Sequence, residues 1–212
     1  MTSLLLPFAS NDSRRVNIFC WVQRRWAHLF PGWQLCLGRD SEEDFNRSRA
    51  RNEAFKCSTG DILVLSDADT ICTPGQIVEA IRRVQSGVPW VVAHDKYYSL
   101  TEHYTNELLT ERPDVDLGSL PKYESNWVMT NTSQAGVLVI PREGWEKVGG
   151  YDERFKGWGY EDNEFAVRLD REWGFHQRVS GPMLHLWHDP GENFSQPHIA
   201  HNELLYQKTV AA

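Results

Sequence analysis

Short apolar runs alternate along this chain with longer stretches in which apolar and charged positions mix. Leu4-Leu5-Leu6 ahead of Pro7 predicts a buried strand ending in a turn, and from Ser13 to Phe30 apolar and basic positions recur at helical spacing. Trp33 to Gly38 predicts a second strand. From Asp44 to Thr59, Phe45, Ala50, Ala54 and Phe55 fall at helix-compatible intervals, with Gly60 as the stop signal. Asp61-Ile62-Leu63-Val64-Leu65-Ser66 is the clearest strand, with the length and branching of the middle of a parallel sheet. Thr73 as N-cap and Pro74 at the first helical position open a helix over Gln76 to Gln85, and Val88 to Ala93 is the next strand.

This alternation implies an α/β fold: a single Rossmann-like domain with a mostly parallel central sheet flanked by helices, its ligands lying beyond the carboxyl ends of the strands. Residues 95–130 are less regular. They include Arg112-Pro113-Asp114 and Leu120-Pro121, which reads as a long excursion with short helical pieces framing a site. Gly136 to Pro141 predicts another strand, Asn163 to Trp173 a helix, and Met183 to Pro190 a strand that runs out into a turn. No repeat or linker interrupts the chain, and 212 residues suit one domain.

Composition narrows the partners. A hydrophobic content of 41% with 24% charged residues is that of a globular protein, and a net charge of -7 offers no footprint for nucleic acid. No run approaches the ~20 apolar residues of a membrane span. Cys20, Cys36, Cys57 and Cys72 form no C-x-x-C pair, and Met1 to Phe8 lacks the basic region and apolar length of a secretory signal. Reduced thiols in a soluble cytoplasmic protein are expected. The nine Trp residues offer flat faces suited to a core or to sugar rings, and composition does not separate these uses.

Two acidic clusters carry the chemistry. Ser66-Asp67-Ala68-Asp69 follows the clearest strand, where two carboxylates at i and i+2 can share a divalent cation and the diphosphate it neutralises. His185 and His188 lie near the end of a later strand and could add a nitrogen ligand. Side chains three apart on a strand face opposite ways, so one of the two is expected to reach the metal, and His188 is favoured because it sits at the mouth. His198 and His201 are expected to face solvent from a terminal helix. In Gly157-Trp158-Gly159-Tyr160-Glu161-Asp162, glycines permit close backbone approach, an indole offers a stacking face, and adjacent carboxylates stand at a helix start. A carboxylate whose pKa is raised by a like charge can accept the proton of an attacking hydroxyl.

In this order the pieces resemble the metal-dependent glycosyltransferases of GT-A fold, in particular the β-1,4-galactosyltransferase and polypeptide N-acetylgalactosaminyltransferase group and family-2 relatives of chondroitin polymerase type. Leu5-Leu6-Pro7-Phe8 resembles the first-strand P-F that meets the nucleotide. Phe45-Asn46-Arg47 resembles the F-N-R segment, which implies that Arg47 contacts the diphosphate. Asp67-Ala68-Asp69 takes the D-x-D place, implying Asp69 as direct metal ligand with Asp67 assisting. Ala135-Gly136-Val137 is similar to the G-G-V stretch beside the donor, and Gly149 to Phe155 to the G-F-D-E-x-F lead into W-G-G-E-D. His188-Asp189-Pro190-Gly191-Glu192-Asn193 resembles the H-x-x-P-x-x-x-N segment whose His binds metal.

The resemblance implies transfer of a hexose or N-acetylhexosamine from a UDP-sugar, with Mn²⁺ or Mg²⁺, to an acceptor hydroxyl on a glycan or protein. D-x-D and E-D point to the inverting branch, with Asp162 as base, Glu161 orienting the acceptor, and Trp158, Gly159 and Tyr160 contacting substrate. Residues 1–95 would form the nucleotide-binding half and residues 96–212 the acceptor-binding and catalytic half. The pattern departs at Ala9, where the galactosyltransferases carry an Arg that Arg14 or Arg15 would replace. It departs again at Tyr160 in place of Gly, which narrows the acceptor side, and at Ser133-Gln134 in place of aromatics, which leaves room for an N-acetyl group. Lacking the anchor and lectin module of the Golgi enzymes, the chain resembles a bacterial or phage version. The alternatives are a retaining polypeptide-type transferase, a non-catalytic binder of nucleotide sugars or carbohydrate, and a nucleotidyltransferase. The last needs a basic Gly-rich loop after the first strand, and none follows Phe8.

Overall fold

The computed structural model describes residues 1–10, 12–40, 45–189 and 196–212. In chain order the elements begin β1 (Thr2–Pro7), α1 (Ser13–Leu29), β2 (Gln34–Gly38), α2 (Arg47–Lys56), β3 (Ile62–Ser66), β4 (Thr70–Cys72) and α3 (Pro74–Gln85). There follow β5 (Val91–Val92), β6 (Lys96–Leu100), α4 (Glu102–Thr110), a 3₁₀ turn (Leu117–Ser119), β7 (Ser125–Thr130) and β8 (Val137–Pro141). The chain closes with α5 (Arg142–Val148), α6 (Glu161–Glu172), β9 (Gln177–Arg178), β10 (Pro182–His185) and α7 (Gln196–Ala211).

Six strands form the central sheet in the order β2-β1-β3-β8-β5-β9. β1 is parallel to β2 and β3, and β9 to β5, whereas β8 runs antiparallel to both its neighbours. The alternation of side chains splits the core. Leu4, Leu6, Val64, Val137 and Val139 pack one face with Trp21 and Val22 of α1, Ile77 of α3 and Leu108 of α4, all buried. Leu5, Leu63, Leu65, Leu138 and Ile140 pack the other with Ala54 of α2, Trp145 of α5 and Phe165 and Leu169 of α6. At α3 the capping box is complete, since Thr73 accepts from the Gln76 N–H and the Gln76 side chain accepts from the Thr73 N–H.

Several expectations shift. A second, four-stranded sheet, β4-β10-β6-β7, occupies much of what read as an irregular excursion. The helix expected over Asp44 to Thr59 is shorter, because Asn46 caps it by accepting from the Arg49 N–H, and Asp44 lies outside the described residues. α6 starts at Glu161, ahead of the expected Asn163. Of Val88 to Ala93, Val91 and Val92 alone have strand geometry. His201 is exposed as expected, but His198 is half-buried with its Nδ1 shielded from solvent. Cys20, Cys36, Cys57 and Cys72 are unpaired. Among the described residues no helix is long and apolar enough to cross a membrane.

Candidate active site

β3 delivers Asp67 and Asp69 into the short connection to β4, and two backbone hydrogen bonds fix that connection. The Asp67 N–H donates to Gly136 O at 3.0 Å, and the Leu186 N–H donates to Asp69 O at 2.8 Å. The second bond draws the segment after β10 against Asp69. Asp69, His185 and His188 thereby offer ligand atoms all within 4.8 Å of one another. The expectation that alternation lets one of the two His reach this point is overturned. β10 ends at His185, three residues short of His188, so the strand period does not govern where the second imidazole points.

The donor set suits a divalent cation. His188 Nδ1 lies 2.8 Å from the Asp189 carbonyl, which can only accept, so Nδ1 carries a proton. In neutral imidazole the Nε2 lone pair then faces Asp69 Oδ2 at 3.0 Å, with His185 Nε2 at 3.7 Å from the same oxygen. A lone pair aimed at a carboxylate repels it unless a proton or a cation lies between them. A backbone carbonyl behind the ligating imidazole is the usual way to set its tautomer. One carboxylate and two imidazoles match Mn²⁺ better than Mg²⁺. Burial pushes the Asp69 carboxyl up, but the two imidazoles, when they carry the intervening proton, together with Arg47 outweigh it and hold the group below the usual carboxylate range.

A second charged cluster adjoins the first. Arg47 and Arg51, four apart on α2, share a helix face. The Arg51 side chain is 4% exposed, with Nη2 at 2.7 Å from Asp67 Oδ1 and 3.2 Å from Asp162 Oδ1, and Nη1 at 3.7 Å from Glu161 Oε1. Its guanidinium carbon stands 4.7 Å over the Tyr151 ring, and the Tyr151 hydroxyl donates to Asp162 Oδ1 at 3.0 Å. Asp67 is thus engaged by Arg51 and lies outside the Asp69, His185 and His188 group. Arg47 Nη1 is 3.6 Å from Glu161 Oε1.

Asp162 and Glu161 open α6, where unpaired helix N–H groups favour anions. Burial nevertheless raises the Asp162 carboxyl to about 7, reinforced by Glu161 and Asp67 and opposed by Arg51. Desolvation of the charged form outweighs the attraction. Tyr160, the N-cap, adopts φ 68°, a left-handed conformation in which Tyr is strained, and packs on Tyr206 at 5.5 Å between ring centroids. Gly159, at φ 108°, turns the chain so that its N–H donates to Glu161 Oε2 at 3.0 Å.

Both clusters line one cavity of about 1080 Å³. Pro7 and Phe8 line it, Phe8 being stacked flat on Phe19 at 4.0 Å. Arg15 lines it too, whereas Arg14 is turned toward Glu102 and lies over Trp187. Trp158, 46% exposed, Gly159 and Tyr160 are on its wall. Gly136 is placed differently: at φ 96° it packs against Met183, whose Sδ fills the space of a Cβ, and Ala135 reaches the cavity instead. Arg178 donates to Ser133 O and to the Gln134 side chain, holding this wall. Pro190 to Asn193 of the expected His-Pro-Asn segment lie outside the described residues.

Arg51, Tyr97 and Trp127 line the cavity and escaped the sequence reading. Arg51 was visible as a cation four residues from Arg47, but its burial depends on carboxylates far away in the chain. Tyr97 and Trp127 stack at 5.0 Å with 1° between their planes, and Trp127 is 48% exposed. Their signal was the aromatic content of the stretch read as irregular.

The descriptions "Glycosyl transferase family 2" and "N-terminal domain of galactosyltransferase" match residues 29–138 and 122–189 respectively. Among curated proteins, the Pasteurella multocida hyaluronan synthase is 22% identical over 183 residues, covering 73% of this chain and 19% of the relative. The Escherichia coli chondroitin synthase is 36% identical over 61 residues, covering 29% of this chain and 9% of the relative. The chain therefore spans under a fifth of the length of these relatives. Among solved structures, a Drosophila β1,4-galactosyltransferase 7 mutant in complex with manganese, UDP-Gal and xylobiose superposes with a TM-score of 0.55 at 19% identity, covering 84% of this chain and 63% of the other. The Mycobacterium tuberculosis glucosyl-3-phosphoglycerate synthase, in complex with Mn²⁺, UDP-Glc and phosphoglyceric acid, gives a TM-score of 0.58 at 13% identity over 99% of this chain and 78% of the other. The fold is that of the GT-A glycosyltransferases. The chain belongs to glycosyl transferase family 2.

Proposed function

We propose that this chain transfers a hexose or N-acetylhexosamine from a UDP-sugar to an acceptor hydroxyl, by single displacement with inversion. The observation that carries the reading is the presence in one cavity of a half-buried carboxylate raised to about 7, Asp162, and the cation-type cluster of Asp69, His185 and His188. Asp69, His185 and His188 would hold Mn²⁺ or Mg²⁺, which when bound supplies positive charge against the leaving diphosphate. Arg47 and Arg15 would bind the phosphates, with Pro7 and Phe8 at the nucleotide.

Asp162 would accept the proton of the acceptor hydroxyl at Oδ2, which only a long 3.4 Å contact from Arg51 engages, while Tyr151 and Arg51 hold Oδ1 in place. Glu161, fixed by the Gly159 N–H, would orient the acceptor. The half-exposed indoles of Trp158 and Trp127 favour a glycan acceptor, since each can stack on a sugar ring. Residues 1–95 would serve the nucleotide and residues 96–212 the acceptor, although His185 and His188 meet Asp69 from across that division. Four unpaired thiols fit a reducing compartment such as the cytoplasm.

The test is calorimetric titration with UDP, with and without Mn²⁺, beside a UDP-release assay across UDP-sugars. Metal-dependent binding with release from one sugar is expected. Absence of metal-dependent UDP binding overturns the reading.

A further inference from the structure

The stretch from Gly149 to Tyr160, which leads into the carboxylates of α6, has no regular secondary structure, so its backbone groups need partners from elsewhere. Asparagine side chains supply many of them. Asn52 of α2 accepts from the Tyr151 N–H and donates to Tyr151 O. Asn46, at the cap of α2, donates to Glu153 O and Phe155 O. The remaining length is held from the other side by α7, which lies beyond both stretches matched by the family descriptions. Asn202, 0% exposed, accepts from the Lys156 N–H at 3.0 Å and donates to Lys156 O at 2.8 Å and Gly159 O at 2.9 Å, with Trp158 O at 3.4 Å.

One buried side chain therefore fixes the backbone on both sides of Trp158. One turn further along α7, Tyr206 packs on Tyr160. One turn earlier, Ile199 lines the cavity itself. We infer that Asn202 is a positioning residue for the acceptor side of the site, and that α7 acts as a brace setting where Trp158, Tyr160 and Glu161 stand relative to Asp162. The inference rests on the transferase reading for its catalytic consequence but not for its structural one. A buried amide with every polar atom engaged has no neutral replacement. Ala removes all its bonds, whereas Asp keeps the acceptor for Lys156 N–H and loses the donors.

The experiment compares Asn202→Ala, Asn202→Asp and Tyr206→Ala by amide hydrogen exchange over residues 156–160, by UDP affinity with Mn²⁺, and by transfer kinetics. Tyr206→Ala leaves the buried amide intact and covers the case in which an Asn202 variant does not fold. For Asn202→Ala we expect faster exchange across 156–160, an acceptor KM raised or a kcat lowered by about 10- to 100-fold, and a UDP affinity unchanged. Asn202→Asp should fall between it and the parent, and Tyr206→Ala should raise the acceptor KM alone. Unchanged exchange, or loss of UDP affinity in step with transfer, overturns the inference. If the parent chain binds no UDP with Mn²⁺, the transferase reading fails, and the exchange data still decide whether α7 braces this segment.

Discussion

Arg51 places one guanidinium nitrogen 2.7 Å from Asp67 and 3.2 Å from Asp162, so a single buried cation joins the loop after β3 to the first turn of α6. With its side chain 4% exposed and three carboxylates around it, Arg51 is held charged well above its ordinary value. Asp162, Tyr151, Asp67 and Glu161 together outweigh the burial that opposes that charge.

Replacing Arg51 by Met should therefore destabilise the fold, because the half-buried Asp67 and Asp162 and the buried Glu161 lose their shared counter-charge. A loss of about 3–5 kcal/mol is expected for removing one partner of such a cluster, or a fall in melting temperature of about 10 °C at this chain length. Thermal unfolding checks it. A melting temperature within about 2 °C of the parent would mean that the carboxylates are rehydrated or protonated at little cost.

Asp162→Asn should abolish transfer while sparing metal-dependent UDP binding. In the parent chain the transfer rate should rise with pH through about 7, since in the proposed role only the unprotonated carboxylate can accept the proton. The stability linkage has the opposite sense. The folded pKa lies above the unfolded value, so the folded state retains a proton that the unfolded chain releases between about 4 and 7. The contribution of this group favours folding at low pH and is lost as pH rises toward 7. Denaturant midpoints across pH 4 to 8 should show a flatter dependence for the Asn variant.

Asp69→Ala, His185→Ala and His188→Ala should each weaken Mn²⁺ binding in the presence of UDP by about tenfold or more. Titration of each variant distinguishes a triad from a pair. An unaltered affinity in His185→Ala would leave His188 as the sole imidazole ligand.

Tyr160→Gly relieves a left-handed Tyr worth about 1 kcal/mol and loses an aromatic contact with Tyr206 worth about 0.5–1.5 kcal/mol. The two nearly cancel, so the melting temperature should move by less than about 3 °C. What should change is the range of acceptors used, because the ring leaves the cavity wall. An identical acceptor profile would show that Tyr160 plays no part in selection.

The strands of the central sheet were legible where a run is apolar throughout, as at Ile62 to Leu65, because such a run is buried on both faces whatever its surroundings. The same property hid the direction of β8: Val137 to Ile140 reads identically whether it runs with or against β3. The smaller sheet was not legible. Its strand Thr70–Cys72 is too short to show a period, and Lys96–Leu100 is aromatic and polar and acquires strand geometry from partners distant in sequence. In the cavity, residue types at turn positions announced Asp69, His188 and Asp162. Arg51 and Asn202 are ordinary helical residues whose importance comes from what other elements bring to them.

The cluster of Asp69, His185 and His188 has a mechanical consequence. Asp69 sits on the connection that leaves the six-stranded sheet at β3 and enters the four-stranded sheet at β4, and His185 is the last residue of β10, which pairs with β4. An ion gripped there would be a rivet between the two sheets. Chelation should therefore loosen the smaller sheet first, while the larger keeps its layers of helices.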